Sequence, residues 1–287
     1  MSAARIIDQG YRRYDGTRGG VFEAMRALTL FSLGRAMGLR RGLWPKVLPI
    51  TTVVISFLPA VVFVGMAALL PEGIADELPS YGDYYGFITA AILMFTAFVA
   101  PELLCTDRRT RMLGLYFASP LNRMTYLASK AITVAIALTF VTMAPPLLML
   151  LAYTFEGVGP DSAGVFLELL LRIVLAGIVI SAVHTSLSLA VSSFTDRNGL
   201  ASASVIFILL LTPVVANSLV EGADAPDAIL GLDLFSMPFE LVTRIFEGAD
   251  QGYPQLSTAF LVVVNLAWTS IFAAIVVWRY QRLEVTK

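Results

Sequence analysis

The sequence holds one histidine, His184, and one cysteine, Cys105, in 287 residues, and each scarcity excludes chemistry. A lone cysteine permits no internal disulfide and no CxxC pair, and a lone histidine no His-pair zinc motif. No GxSxG elbow occurs. Lysine is almost as rare: Lys46, Lys130 and Lys287 follow Pro45, Ser129 and Thr286. A Walker A phosphate loop requires Gly-Lys, so this chain cannot hold ATP in the P-loop manner. Charge is short as well, at 14% of residues against about 25% in a soluble domain. That is too little to coat a globular surface.

Apolar residues are what the chain has in quantity, at 57% with mean hydropathy +0.77. Uncharged runs of twenty or more residues can cross a hydrocarbon core as helices, because helices satisfy their own backbone groups. The pattern predicts an all-α polytopic membrane protein with six transmembrane helices: Val47–Leu70, Tyr84–Leu104, Ala131–Tyr153, Val165–Phe194, Gly199–Val220 and Ser257–Trp278. Pro145 and Pro146 predict a kink in the third. Residues 1–46 read as an N-terminal segment and 47–287 as the transmembrane domain. No cleavable signal peptide is expected, since the first 46 residues are arginine-rich without an isolated apolar region.

Eighteen of the twenty basic residues fall in the N-terminal segment, the loop after the second span, the turn after the fourth and the tail. The three alternate loops hold thirteen acids against Arg244 alone. The positive-inside rule then puts both termini in the cytoplasm. Within the first segment, Val21–Arg41 has apolar residues at helical spacing (Val21, Met25, Leu28, Ala36) opposed by Glu23, Arg26, Arg40 and Arg41. That composition predicts an amphipathic interface helix with its arginines toward lipid phosphates. The alternative is a cytoplasmic helix packed on the bundle. The acidic outer segment, 221–256, contains apolar blocks too short to cross, interrupted at Ser236-Met237-Pro238. A broken, re-entrant pair of short helices fits them.

The large cytoplasmic loop, 105–130, reads CTDRRTRMLGLYFASPLNRMTYLASK. Arg108 to Ala118 is helix-compatible, Pro120 stops it, and Asn122 can cap the next helix. Topology and anionic lipid would account for the arginines, but not for exposed Met112, Leu113, Leu115, Tyr116 and Phe117. Basic and apolar residues together beneath a bundle suit docking to a soluble partner. In order, Glu102, Asp107, Arg108, Thr110, Leu113, Leu115, Ser119, Pro120, Tyr126 and Lys130 resemble the pattern of type-2 ABC-transporter permeases. The departure is Arg111, where that family often has glycine. The resemblance implies a transport subunit rather than an enzyme, paired with a second permease chain, identical or not, and with two separate ABC ATPase subunits. ATP and Mg are then expected on the ATPase, with no cofactor in this chain. Arg108, Arg109, Thr110, Met112, Leu113, Leu115 and Tyr116 would form the coupling helix seated on it. Membrane lipids are the other expected partners, and nucleic acid is not one.

Inside the spans, Glu168 and Arg172 stand at i and i+4 in the favourable order. They form either a pair at the outer interface or part of a substrate route. His184, near Thr185, Ser186, Ser188 and Ser192, suits hydrogen-bonded packing or a protonation switch. Small residues Gly199, Ala201, Ser202, Ala203 and Ser204 favour close packing of the fifth span, and Asn217 is a further polar candidate. The expected function is permease of an ATP-driven exporter in a bacterial cytoplasmic membrane, carrying an amphipathic, lipid-like or drug-like compound. The rivals are a proton-coupled secondary transporter using Glu168, Arg172 and His184, which lacks the repeat symmetry expected of it, and a membrane-embedded enzyme, for which the residues offer no convergent catalytic set.

Overall fold

A computed structural model describes residues 19–39, 42–69, 78–248 and 252–283. Residues 1–18, Arg40, Arg41, the loop stretch 70–77 and Lys287 lie outside them, and with them part of the basic and acidic tallies above. Among the described residues there is no strand, and six helices are long and apolar enough to cross a bilayer. The chain is an all-α multi-pass membrane protein.

The first span is α2 (Trp44–Leu69). The second is composite: α3 (Tyr81–Phe87), α4 (Thr89–Met94), a π turn (Phe95–Val99) and α5 (Ala100–Arg109). Pro101 explains the irregularity. In the π register the Thr96 carbonyl would look to residue 101, and proline has no N–H to give. Ser188 supplies the donor instead, its Oγ 2.9 Å from Thr96 O. A short α6 (Leu113–Phe117) follows, and then α7 (Arg123–Phe155), the third span. It starts eight residues before the predicted Ala131, because Asn122 and Thr125 cap each other's backbone in a capping box. Lys130 therefore lies within the helix, not at the end of a loop.

Pro145 and Pro146 lie inside α7, which continues as one helix through them. Pro145 leaves the Val141 carbonyl without its usual donor. The buried Tyr84 hydroxyl lies 3.5 Å from that oxygen and 3.1 Å from Ser56 O. The last three spans are α8 (Ala163–Ser192), α9 (Asn198–Gly222) and α11 (Thr258–Gln281). Helix α8 is the centre of the bundle, with α7, α11, α5 and α9 packed around it. At Gly177 of α8 an added Cβ would sit 2.2 Å from Met143 Cγ, so the bare backbone is what lets α7 approach so closely.

Besides α6, two parts of the described chain do not cross. Helix α1 (Val21–Ala36) lies on α7 and α5 with Leu28, Ser32 and Ala36 buried, while Phe22, Leu30 and Phe31 are exposed. At the acid-rich end, a 3-10 turn (Asp227–Leu232) and α10 (Ser236–Phe246) form the broken pair. The break falls at Asp233–Phe235, three residues before the expected one. Asp233 Oδ1 accepts from the amides of Phe235 (3.0 Å) and Ser236 (2.8 Å), which starts α10 there. Pro238 then falls in the first turn, where a missing N–H costs nothing.

Candidate functional site

The expected coupling helix, Arg108–Ala118, is not one helix. α5 ends at Arg109, and the chain turns at Thr110–Met112 before α6. Met112 N donates to Asp107 O (3.0 Å) and Arg111 N to Arg108 O (3.1 Å), with Arg111 at φ 55°. This is a Schellman motif, in which the residue after the helix cap must be left-handed. Glycine takes that conformation freely, and an L side chain pays about 1–2 kcal/mol for it. Arg111, the departure from the family pattern, stands at this left-handed position.

Under the turn lies a buried charge cluster. Asp107 and Lys130 are fully buried, and Lys130 Nζ lies 2.7 Å from Asp107 Oδ2. Arg35 of α1 reaches the other oxygen, Nη1 to Oδ1 2.6 Å, and its Nη2 donates to Leu103 O at 2.9 Å. Tyr126 donates to Asp107 Oδ2 at 2.9 Å, and Lys130 donates to Ser32 Oγ at 2.8 Å. One carboxylate thus ties α1, α5 and α7 together. Tyr116 of α6 closes the cluster, with the Lys130 ammonium 5.7 Å from its ring centroid. Burial, then the Asp107 charge, push the Tyr116 hydroxyl's pKa up. Arg35 was legible only as one more positive charge. The missed signal was its spacing: 28, 32 and 35 share one helical face.

The coupling candidates divide between holding the bundle and facing out. Arg108 donates through Nη1 to Ser193 O, and to Thr195 O at 3.1 Å, satisfying carbonyls at the end of α8. Leu113 is buried, Met112 and Tyr116 are half-buried, and Thr110 bonds back to Thr106 O (2.7 Å). Arg109, Arg111 and Leu115 are exposed, Leu115 at 64%. The outward surface is therefore small: two arginines around one leucine, with Met112 and Tyr116 beside it.

The other candidates are not brought together. Glu168 and Arg172 do pair, but on the exposed first third of α8, with side chains 58% and 35% accessible, and Arg172 donates to Phe246 O (3.0 Å) at the end of α10. His184 is fully buried twelve residues on, ~18 Å along the helix. Its Nδ1 lies 2.8 Å from Ile180 O and its ring packs edge-on against Phe239. No relay among the described residues links it to the pair. Asn217 Nδ2 donates to Pro213 O (2.8 Å), a bond within its own helix. In the fifth span Ala201 and Ser202 pack inward, whereas Gly199 and Ala203 are exposed.

A second buried ion pair, unforeseen, lies at the acidic end. Arg244 Nε is 3.3 Å from Glu240 Oε1, and Nη2 donates to Tyr253 O (2.6 Å) and Leu256 O (3.1 Å). Tyr253 N donates to Glu240 Oε1 (2.8 Å). At Gly252, φ 73°, an added Cβ would sit 2.2 Å from Glu240 Oε2.

The described residues thus form a six-span bundle with a capped turn standing on a buried ion cluster. The family model described as ABC-2 family transporter protein matches residues 69–278. The chain belongs to that family: it is a permease subunit of an ABC transporter, and the family works with ABC ATPase partners. No curated protein sequence matches the chain.

Proposed function

We propose that this permease serves an ATP-driven exporter of the bacterial cytoplasmic membrane, with its basic end inside. It works as one of two permease chains over two ATPase subunits, which carry the ATP and Mg. The observation that supports this most is the turn Arg109–Leu115, which stands on Asp107 and presents Arg109, Arg111 and Leu115 outward. Force applied to the turn reaches α5 directly, α7 through Lys130 and Tyr126, and α1 through Arg35. A seated ATPase would then move three elements as one, rocking the bundle between inward- and outward-facing states. An amphipathic cargo is supported by a cavity of about 390 Å³ between α2, α5 and α9 near the basic end, where Leu48, Phe98 and Ile206 line the same space as Glu102 and Asn198.

The test is Met112→Ala combined with Leu115→Ala. ATPase co-purification should fall, because apolar anchors supply most of such a contact, while membrane insertion and yield hold. Arg109→Gln with Arg111→Gln should weaken association less, in a salt-dependent way. Full ATPase association and transport in the Met112/Leu115 variant would overturn the reading.

A further inference from the structure

Two helices at the basic end finish on arginines borrowed from other helices. The last carbonyls of a helix have no donor within it and carry the negative end of its dipole. At the end of α8, Arg108 of α5 gives Nη1 to Ser193 O and to Thr195 O, and Cys105 Sγ, also of α5, lies 3.8 Å from Ser192 O. At the end of α11, Arg123 of α7 gives Nη1 to Tyr280 O (3.2 Å) and to Gln281 O. The two donors flank the coupling turn: Arg108 is in the last turn of α5, and Arg123 is the first residue of α7. Further contacts close the circuit. The Arg279 guanidinium of α11 lies 5.8 Å from the ring centroid of Phe194, the residue after Ser193. The buried Tyr280 ring lies 6.0 Å from that of Tyr126, which donates to Asp107 of α5. The basic ends of α5, α8, α11 and α7 are thus joined in a ring. Packing alone would couple α11 to α7 weakly, because an open groove walled by Ala128, Ala131 and Ala273 lies between them deeper in the bundle.

We propose that Arg123, together with Arg108, is a positioning residue of the coupling step. The two arginines make α11 and α8 follow the turn, so that an ATPase displacing it moves the basic ends of four spans at once. This rests on the coupling reading above and extends it from α1, α5 and α7 to two helices that the Asp107 cluster does not bond. A capping donor on a helix's own last turn would satisfy the same carbonyls and transmit nothing. A donor on a neighbouring helix does both, since pulling on it pulls the capped end along. The guanidinium suits the task, being always charged and meeting two carbonyls together.

The experiment follows amide hydrogen exchange by mass spectrometry in the full permease purified with its ATPase subunits, before and after trapping with ATP, Mg and vanadate. In wild type, trapping should change exchange at 109–113, 190–197 and 277–283 together, each by about threefold or more. Arg123→Gln should keep ATPase co-purification and the responses at 109–113 and 190–197, and lose the response at 277–283. Arg123→Lys, whose ammonium can still meet the carbonyls, should restore most of it. Arg108→Gln should lose the response at 190–197 instead. Arg279→Gln, which removes the contact with Phe194, should weaken the response at 277–283 about twofold, and it carries the test if Arg123→Gln fails to fold. Faster exchange at 277–283 in Arg123→Gln with the nucleotide response intact would make the arginine a helix cap alone and overturn the inference. A wild type that responds at 109–113 but not at 277–283 would overturn it as well. No response at 109–113 in wild type would remove the coupling reading itself, and this inference with it.

Discussion

The two ends of this bundle each secure a non-crossing element with a buried carboxylate, and they do it differently. At the basic end Asp107 takes cations from elements remote in sequence, Arg35 on α1 and Lys130 on α7. At the acidic end Glu240 takes its cation from the next turn of its own helix, and the remaining bonds go to backbone at 253 and 256. The first arrangement fixes helices to one another. The second fixes a loop to a helix that already exists. On the proposed coupling reading, the end that carries load to several elements has the long-range cluster, and the end that closes the bundle has the local pair.

Removing the carboxylates should expose that difference most strongly. Asp107→Asn leaves Arg35 and Lys130 facing each other without an anion, so it should cost about 3–5 kcal/mol, read as a large fall in thermal stability in detergent. Glu240→Gln should cost less, because Gln keeps an acceptor for Tyr253 N and Arg244 keeps two carbonyls. Its damage should stay near residues 252–256, detectable as faster proteolysis there. Equal losses in the two variants would erase the distinction.

The left-handed turns sharpen it further, with opposite signs. Gly252→Ala forces a side chain into φ 73° against Glu240 and should destabilise by at least about 1–2 kcal/mol. Arg111→Gly removes a side chain from φ 55° and should stabilise by about 1 kcal/mol, the strain relieved less the entropy cost of glycine. A destabilised Arg111→Gly would mean the arginine makes a contact worth more than its strain.

How much of this was legible follows from the range of each signal. All six spans were legible because apolar length is local, most of their ends to within about three residues, whereas the start of α7, eight residues before Ala131, was missed although the Asn122–Thr125 capping box lay in plain view. Gly38 and Gly157 announce helix ends by type: each sits at the left-handed position of a Schellman turn. Arg111 occupies the same position and hides it, which is why Arg108–Ala118 read as one helix. Asp107, Tyr126 and Lys130 were recognisable as pattern members, but nothing in their spacing says they meet. Arg35 is 72 residues from its acid, and only the packing of α1 across α5 and α7 brings it there. Glu240 and Arg244 were legible at i and i+4 and were passed over because the outer segment was read for its apolar blocks.

The order of synthesis gives the Asp107 cluster a second meaning. Arg35 is made first, Asp107 next, and Lys130 twenty-three residues later, roughly 1–5 s behind at ordinary translation rates. Until the third span threads into the bilayer, the aspartate waits with Arg35 alone, one of its three side-chain partners. The arrival of Lys130 closes a knot joining the first half of the nascent chain, before the central helix α8 exists. A ribosome stalled just past the third span should thus already carry a protease-resistant core, and the later helices assemble on a template the carboxylate has fastened.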